Sequence, residues 1–364
     1  MKKHWAYAMR YDDLGASSRI RHQEWAARML QAGYQVTWQH FFSNSYLRKL
    51  YSGKGRSRTA WIAGIIFRAF WLLFKAPRNL VVEYELFPYI PWCIERLFWF
   101  RRKVVLDFDD DVGVRYKNNP FLRGKFDKAA ARAQMVITAN DRLYDNFSKF
   151  NKNVVKIPTL IDLPPKNTAD KFPSFTIVWI GTPVTYCYIE KFADILQKMA
   201  AKTDFELLIV SSKNLEKRSV PNVRMHFIDW SPSAAAIALA SAHAGIMPLT
   251  DDEFSNGKSA YKLIQYMGAG IPAIASGVGE NKRVVRHGIS GFIADTADEW
   301  SEALNILKKD SFRREEMGAQ AYALAREYTY DHWFPFYENV LMHAFFDVQL
   351  LPDGESDCPY EKRQ

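Results

Sequence analysis

The sequence predicts an α/β protein built from two doubly wound domains that face a central cleft. With 364 residues, the chain is long enough for two domains of about 150 residues, each with its own core. In both halves, short segments rich in β-branched residues alternate with helical patterns, which is typical of parallel sheets covered by helices. The segment 164–173 begins with two prolines and separates the two series in the manner of a linker.

The first half begins with a strand that a helix follows. This helix is predicted from Ser18 to about Ala32, and Gly33 ends it, as glycine commonly does. Strands of the first half are predicted at 4–11, 34–41, 80–87, 103–110, 133–140 and 154–160. Strands of the second half are predicted at 175–181, 205–212, 223–230, 244–249 and 271–276. Ligands of such sheets bind at the carboxyl ends of the strands, so we expect the functional residues there.

The composition excludes several classes of protein. Hydrophobic residues make up 48% of the chain and charged residues 24%, which excludes a largely disordered protein. The cysteines, Cys93, Cys187 and Cys358, are far apart, which excludes a disulfide framework and a zinc site of the CxxC type. No signal peptide is evident, because the first apolar stretch is short. We therefore expect a cytoplasmic protein.

The charge of the chain is unevenly distributed. Residues 1–160 contain 28 Lys and Arg against 13 Asp and Glu, whereas residues 161–364 contain 21 against 27. No acidic residue lies between Trp25 and Val82. The positive charge of the first half therefore predicts an anionic partner. This partner would carry phosphate, as part of a lipid, a nucleotide or a nucleic acid. A nucleic acid is the weaker alternative, because no helix-turn-helix, zinc or RRM signature is present and long apolar runs interrupt the basic stretch.

One apolar segment, Ala60 to Phe74, leaves two interpretations open. It spans 15 residues and contains Arg68, whereas a membrane-spanning helix needs about 20 largely apolar residues. Because basic residues flank it on both sides, the segment is typical of a helix that lies on an anionic lipid surface. The alternative is a helix buried in the core.

The segment 256–272 carries the most informative pattern. We predict that Asn256 or Gly257 caps a helix from Lys258 to about Met267. Lys258, Lys262 and Gln265 then share one face, and this basic face at a helix N-terminus is suited to a diphosphate. The alternative is a solvated lysine face.

These patterns resemble a known family. The segment GKSAYKLIQYMGAGIPAIAS, with GVGENKRVV and HGISGFIA after it, is similar to the donor-binding segment of family 4 retaining glycosyltransferases with the GT-B fold. The narrower likeness is to bacterial cell-surface polysaccharide enzymes with a GK-(C/S)-x-(Y/F)-K-L-(I/L)-QYM motif. Further similar segments are IVWIGTPVTYCYI, AGIMPLTDDEF, GASSRIRHQ, EYELFP and LDFDDDV, so that the likeness covers nearly the whole chain.

The resemblance implies a fold and an activity. It implies an acceptor-binding Rossmann-like domain at 1–163 and a nucleotide-sugar-binding one at 174–331, with a helix at 332–348 that crosses back and a tail at 349–364. It further implies retaining transfer of a hexose from a nucleotide-diphosphate sugar to a glycan or polyprenyl-diphosphate-linked acceptor, without a metal or another cofactor. The basic half would hold this enzyme peripherally on the inner face of the cell membrane.

The sequence departs from the family pattern in one respect. The family has two glutamates eight positions apart, and Gly257 and Gln265 stand at those positions here. At the second position, the Gln265 amide can bind the nucleotide ribose through neutral hydrogen bonds. At the first position, Glu253, Asp251 or Asp252 can replace the missing glutamate. These changes also motivate an alternative function, a non-catalytic scaffold that binds nucleotide sugars within a membrane-associated polysaccharide complex.

Acidic residues end the strand predicted at 103–110. Up to four carboxylates repel one another there, so the cluster is either functional or a cap. Asp107 and Asp109 are similar to the manganese-binding DxD motif of the GT-A fold, but two successive α/β series fit that fold poorly. In the GT-B family a polar residue at this strand end lies beside the transferred sugar. We therefore assign Asp109 and Asp110 to the sugar or the acceptor, and we expect Glu83 and Glu85 on one strand face.

The predicted site combines catalytic and donor-binding residues. The catalytic set is Asp109, Asp110 and Glu253. The donor-binding set is Gly15, Ser17, Arg19, Gly181, Thr182, Thr185, Lys213, Lys258, Ser259, Tyr261, Lys262 and Gln265. No cation occurs in the loop after the strand at 175–181, so hydroxyls, backbone N–H groups and the two lysines of the donor segment are expected to bind the diphosphate.

Overall fold

A computed structural model describes residues 3–165, 169–212 and 215–350 of the chain. It divides into two compact units. The first comprises Met1–Leu160, Gly257–Ser259 and Tyr330–Gln364, and the second comprises Ile161–Asn256 and Ala260–Thr329. Lys213, the middle of the expected linker (166–168) and most of the expected tail (351–364) lie outside the described residues.

The first unit is a six-stranded parallel sheet with helices packed against it. The strand order is β2-β1-β3-β4-β5-β6. The strands are β1 (His4–Tyr11), β2 (Gln35–Phe42), β3 (Asn79–Glu83), β4 (Lys103–Phe108), β5 (Met135–Thr138) and β6 (Val154–Lys156). The α-helices are α1 (Glu24–Gln31), α2 (Asn44–Tyr51), α3 (Arg58–Phe74), α4 (Trp92–Glu95), α5 (Lys125–Arg132), α6 (Asp141–Ser148) and, at the end of the chain, α15 (Tyr330–Phe346).

Shorter helical turns complete the first unit. A π-helical stretch, Ser18–Gln23, leads directly into α1, and 3-10 turns occupy Arg96–Trp99 and Val112–Tyr116. The central strands are buried on both faces, as the continuous apolar segments predict. The core of this unit therefore lies between the sheet and its helices.

The second unit contains another six-stranded parallel sheet, in the order β12-β11-β10-β7-β8-β9. The strands are β7 (Thr176–Ile180), β8 (Glu206–Ser211), β9 (Arg224–Asp229), β10 (Ala244–Met247), β11 (Ala273–Ala275) and β12 (Gly291–Ile293). The α-helices are α7 (Cys187–Lys191), α8 (Ala193–Lys202), α9 (Pro232–Ser241), α10 (Glu253–Asn256), α11 (Tyr261–Gly268), α12 (Asn281–Val284), α13 (Ala297–Lys309) and α14 (Ser311–Ala325). Pro183–Thr185 and Arg326–Tyr328 form 3-10 turns. Two parallel sheets confirm the predicted fold class of two doubly wound α/β domains.

Two local predictions were wrong, and one strand was not predicted. The strand expected at 80–87 ends at Glu83, because Tyr84 adopts a left-handed backbone conformation with φ of 59°. The helix expected from Lys258 begins only at Tyr261, because Ala260 before it also has a left-handed backbone, with φ of 54°. The short strand β12 had no counterpart among the predicted strands.

The apolar segment forms α3, a helix of 17 residues. Gly64 lies so close to Phe41 that an added Cβ would meet its ring at 2.6 Å, and the fully buried Arg68 donates hydrogen bonds into the unit. Among the described residues, no helix is both long and apolar enough to cross a membrane. One face of α3 is therefore part of the first unit's packing.

Candidate functional site

Each sheet has one point at which the strand order reverses, and open α/β sheets bind their ligands beside it. In the first unit, this switch point lies between β1 and β3, from which the strand order continues in opposite directions. In the second unit it lies between β7 and β10. Functional side chains are therefore expected at the carboxyl ends of these four strands.

Glu83 lies at the switch point of the first unit and is fully enclosed. Its Oε2 accepts hydrogen bonds from the backbone N–H of Arg10 (2.7 Å) and the hydroxyl of Ser18 (2.6 Å), whereas its Oε1 is buried without a partner. Burial raises the pKa of Glu83 from 4.5 to about 7, although these hydrogen bonds oppose the change. Glu83 can therefore exist as a neutral acid near neutral pH.

Asp109 lies beside Glu83 at the end of β4. The hydroxyl of Tyr84 donates to Asp109 Oδ1, and it also lies 3.4 Å from the Ser17 hydroxyl. Burial and the neighbouring charge of Asp110 raise the pKa of Asp109 to about 6, while Arg21 opposes this change. The left-handed backbone of Tyr84 ends β3 and carries its ring to this carboxylate. The result is a buried carboxyl group with a phenol and a serine beside it.

Asp107, the first aspartate of the DxD-like pair, forms a buried ion pair with Arg21. Arg21 donates two hydrogen bonds to its Oδ1, at 2.6 and 3.0 Å, and further bonds to the carbonyls of Ile157 and Pro158. His22 lies 3.7 Å from Asp107, and burial lowers the pKa of His22 to about 4. Asp107 is therefore held by Arg21, a residue that the sequence analysis did not include in the site.

Four buried charged groups lie around the chain that follows Glu83. Glu85 accepts hydrogen bonds from Arg10 (3.0 Å) and Lys125 (2.6 Å), and Lys125 also lies 2.7 Å from Glu95. Glu83 accepts from the backbone of Arg10, whereas Glu85 accepts from its side chain, and the expected shared strand face is wrong because the strand ends between the two glutamates. This network fixes the segment that carries Tyr84.

The loop after β1 brings the remaining predicted residues to this edge. An added Cβ at Gly15 would meet Tyr11 Cβ at 2.3 Å, so only glycine fits there. Ser17 lies beside Tyr84, as described above. Arg19 is half-buried, and its guanidinium donates to the carbonyl of Asp13 at 2.7 Å. Gly15 and Ser17 therefore lie at the edge of the carboxylate cluster.

Residues 257–259 also belong to the first unit. The Gly257 carbonyl accepts from the backbone N–H of Asp111 at 3.1 Å, and a Cβ at Gly257 would meet Asp111 Cβ at 2.3 Å. The backbone N–H of Ser259 donates to Asp110, and Lys258 Nζ lies 3.6 Å from the same carboxylate. A glutamate would not fit at Gly257 in this arrangement. Lys258 precedes α11, so the expected face shared with Lys262 and Gln265 is wrong.

In the second unit, a tight turn follows β7. Gly181 leaves no room for a side chain, since an added Cβ would meet the Trp179 ring at 2.5 Å and Thr185 Oγ1 at 2.8 Å. The hydroxyl of Thr185 donates to the Thr182 carbonyl at 3.0 Å and lies 3.4 Å from the Thr182 hydroxyl. This turn presents backbone and hydroxyl groups at the carboxyl end of the strand.

Helix α11 connects the two strands of this switch point. The hydroxyl of Tyr266 donates to the carbonyl of Ile246 on β10 (3.1 Å) and accepts from the N–H of Ile180 on β7 (3.3 Å). Lys262 Nζ lies 5.6 Å from the centre of the Trp179 ring. A cation therefore lies beside β7, whose following loop contains no Lys or Arg. Tyr261 and Gln265 are half-buried on the same helix, Gln265 one turn after Lys262.

The acidic residues before α11 differ in their surroundings. Asp251 accepts from the Asn256 amide (2.6 Å), and Asp252 accepts from the N–H of Ser255 (2.8 Å), which caps α10. Glu253 is exposed at the start of α10. Across residues 3–165, 169–212 and 215–350, no three His, Cys, Asp or Glu side chains are arranged to hold a metal ion.

The structure groups the predicted residues into two sets. Within the first unit it brings Gly15, Ser17, Asp109, Asp110, Lys258 and Ser259 to one sheet edge, and within the second it brings Gly181, Thr182, Thr185 and Lys262 together. Glu83 and Tyr84 complete the first set, and no sequence pattern signalled the role of Tyr84. Glu253, exposed at the start of α10, belongs to the second unit.

Comparison with known proteins identifies relatives of this architecture. Residues 174–310 match the family model described as glycosyl transferases group 1. No protein with a curated description matches the chain in sequence.

Three solved structures are similar in fold. A sucrose-phosphate synthase from Thermosynechococcus elongatus has 14% identity and a TM-score of 0.66, over 95% of this chain and 100% of that chain. Anabaena HepE in complex with UDP-glucose has 12% identity and a TM-score of 0.64, over 90% and 95%. The pneumococcal O-GlcNAc transferase GtfA in complex with UDP and GlcNAc has 14% identity and a TM-score of 0.57, over 76% and 59%. At these identities, the likeness is one of fold.

Proposed function

We propose that this chain, which has the GT-B fold and whose residues 174–310 belong to the group 1 glycosyltransferases, transfers a hexose from a nucleotide-diphosphate sugar to a glycan or lipid-linked acceptor with retention of configuration. One observation carries the proposal. The matched segment contains the β7–β10 switch point, where Gly181, Tyr266 and Lys262 combine a tight backbone turn with a cation.

The donor end of the reaction is assigned to the second unit. During transfer, the bond between the anomeric carbon and the diphosphate breaks, and negative charge develops on the leaving diphosphate. Lys262 and the backbone N–H groups of the turn after Gly181 are suited to stabilise this charge without a metal ion. Gln265 offers a neutral amide for the ribose. Anabaena HepE was crystallised with UDP and with UDP-glucose, so UDP is the first nucleotide to test.

The sugar and acceptor end is assigned to the first unit. Asp109 and Glu83 can each hold or accept a proton near neutral pH, because burial raises the pKa values of both. Such groups can bind sugar hydroxyls as either donors or acceptors. Lys258, beside Asp110, adds a positive charge to this edge. We therefore assign Asp109 to the transferred sugar or the acceptor hydroxyl.

The acceptor proposal extends to cell-surface polysaccharide biosynthesis. The excess of Lys and Arg in residues 1–160 suits an anionic acceptor, such as a polyprenyl-diphosphate-linked glycan at the inner face of the cell membrane. In this setting the protein would act as a peripheral cytoplasmic enzyme.

The test separates donor binding from transfer. Thermal unfolding is measured with UDP, GDP, ADP and CMP, each with EDTA and with Mn²⁺. We expect one diphosphate to raise the melting temperature equally in EDTA, and we expect Lys262→Gln to remove this shift while Lys198→Gln, an exposed lysine of α8, retains it. A shift that requires Mn²⁺ would overturn the metal-independent proposal.

Transfer is measured next with the nucleotide sugar that corresponds to the stabilising base. We expect hydrolysis or transfer by the wild type, and a loss of about a hundredfold in Asp109→Asn with nucleotide binding retained. NMR of the product reports whether the anomeric configuration is kept. A protein that binds nucleotide but neither hydrolyses nor transfers the donor would favour the scaffold alternative, which Gly257 and Gln265 motivate.

A further inference from the structure

Helix α3 has one side buried in the first unit and an exposed side that is apolar. Gly64, Arg68 and Leu72 lie on one side and are buried in the first unit. Six apolar residues on the other side are each between 50% and 71% exposed: Ile62, Ile66, Phe67, Phe70, Leu73 and Phe74. At 3.6 residues per turn, these six occupy an arc of about 140° that lies opposite the buried side. The exposed face of a surface helix in a soluble protein is normally polar, whereas this exposed arc is apolar.

A second exposed apolar segment lies beside α3. It comprises α4 and the turn after it, in which Ile94, Leu97 and Phe100 are between 49% and 69% exposed. Arg102 donates a hydrogen bond to the carbonyl of Leu72, and Trp99 is buried in the same core cluster as Leu72. The α3 arc and these three side chains therefore belong to neighbouring elements of one unit, and we call them together the apolar face.

Cations surround the apolar face. Lys75 Nζ lies 5.9 Å from the centre of the Phe70 ring, and the Arg101 guanidinium lies 5.1 Å from the Phe100 ring. Further exposed cations stand before and after α3 or on the neighbouring turn: Lys54, Arg56, Arg58, Arg78 and Arg96. Glu95, the one acidic residue of the neighbouring turn, is buried against Lys125. Apolar side chains with a basic rim match the boundary between acyl chains and anionic headgroups.

We infer that the apolar face docks this protein onto an anionic lipid bilayer, with the exposed side chains of α3 and the neighbouring turn inserted between the headgroups. Helix α3 is about 26 Å long, and Arg68 on its other side is committed to the unit, so the helix lies along the surface. A second copy of the chain is the weaker occupant. A symmetric contact through this face would bring Lys75 and Arg101 of one copy towards the same cations of the other.

This inference deepens the proposed function, because it names the surface on which a lipid-linked acceptor would be met. It is tested without catalysis, by flotation of the full chain with vesicles of phosphatidylcholine alone and of phosphatidylcholine with phosphatidylglycerol. We expect the protein to float with the anionic vesicles and to dissociate in high salt. UDP-induced thermal stabilisation, measured in parallel, reports on the donor site separately.

Two variants remove the apolar contact and the charge. Phe67→Ser with Phe70→Ser is expected to weaken vesicle binding by about tenfold or more, because each exposed phenyl ring loses its burial in lipid. Lys75→Glu with Arg101→Glu is expected to remove the preference for anionic vesicles. Phe121→Ser and Arg132→Glu replace exposed residues of the same unit outside this face and serve as controls. Unchanged vesicle binding in the first double variant would overturn the inference.

Two exposed cysteines provide a second measurement. Cys93 lies in the apolar face region, on α4, whereas Cys187 lies in the second unit. With the other cysteines replaced by serine, a polarity-sensitive fluorophore on Cys93 is expected to shift to the blue on anionic vesicles, and one on Cys187 is not. Failure of the wild type to bind either vesicle, together with a dimer that Phe67→Ser with Phe70→Ser dissociates, would assign the face to a second copy.

Discussion

The two units maintain their switch points by different interactions. In the first, buried charges pair with each other, as Arg21 does with Asp107 and Lys125 with Glu85. In the second, the hydroxyl of Tyr266 joins β7 and β10 through neutral hydrogen bonds. A buried charge that loses its partner carries a much larger free-energy cost than a neutral group does. The first unit is therefore expected to depend strongly on single charged residues, and the second to tolerate comparable changes.

The largest effect is expected for Lys125→Met. This change leaves the buried carboxylates of Glu85 and Glu95 without their shared cation, so the free energy of unfolding of the first unit is expected to fall by about 3–5 kcal/mol. Hydrogen exchange of peptides from β3 and β4 measures this loss within the unit. Lys128→Met changes an exposed lysine on the same helix and is the matched control. Equal protection in the two variants would contradict the difference drawn between the units.

Glu83→Gln tests a carboxyl group that burial favours in its neutral form. Because the folded pKa of about 7 lies above the ordinary value of 4.5, the folded state holds a proton that the unfolded state releases between these values. The contribution of Glu83 to stability is therefore present below pH 4.5 and is lost as the pH rises through 7, by up to about 3 kcal/mol. Glutamine keeps the neutral form at every pH.

We accordingly expect Glu83→Gln to match the wild type near pH 5 and to exceed its stability near pH 7.5. The glutamine oxygen can accept from Arg10 and Ser18 as Glu83 Oε2 does, and its amide replaces the unpartnered Oε1. Denaturant unfolding at the two pH values provides the comparison. A constant difference between variant and wild type would show that Glu83 does not titrate in this range.

Lys262→Gln tests a charged residue at the switch point of the second unit. Lys262 is half-buried above the Trp179 ring, so its removal is expected to leave the fold intact and to lower kcat by about a hundredfold through lost stabilisation of the leaving diphosphate. Steady-state kinetics with the nucleotide sugar measures this effect, and Lys198→Gln is the control. A fall in stability with unchanged kcat would instead make Lys262 a structural residue.

The sequence predicted the architecture better than the first unit's site. Eleven of the twelve strands, the fold class and the resemblance to GT-B glycosyltransferases follow from local patterns, and only the short β12 escaped them. Gly181 and Lys262 were singled out because the segment around each of them resembles a family motif. The helix start was misplaced at Lys258, because a left-handed residue such as Ala260 carries no sequence signal of the kind that glycine gives.

The charge pairs of the first unit show why its site was harder to predict. Arg21 and Asp107 are 86 residues apart, and Lys125 and Glu85 are 40 apart, so only the fold brings them together. Asp109 was singled out because acidic residues cluster after a buried strand, whereas its contact with Tyr84 depends on a backbone turn at φ of 59°. Periodicity and spacing describe neighbours along the chain and cannot assign such distant partners.

The smallest effect is expected for Tyr266→Phe, the neutral counterpart of the Lys125 change. It removes the hydroxyl between Ile180 and Ile246 but keeps the ring, which lies so close to Gly245 that a Cβ there would meet it at 2.3 Å. The second unit should lose about 1–2 kcal/mol, since the buried N–H of Ile180 is left without its acceptor. Tyr322→Phe, which removes an exposed hydrogen bond to Pro164, should cost less. Tyr266→Phe could instead lower the free energy of unfolding as much as Lys125→Met does. Neutral and charged interactions at the two switch points would then contribute equally to stability, and the expected difference between the units would be refuted.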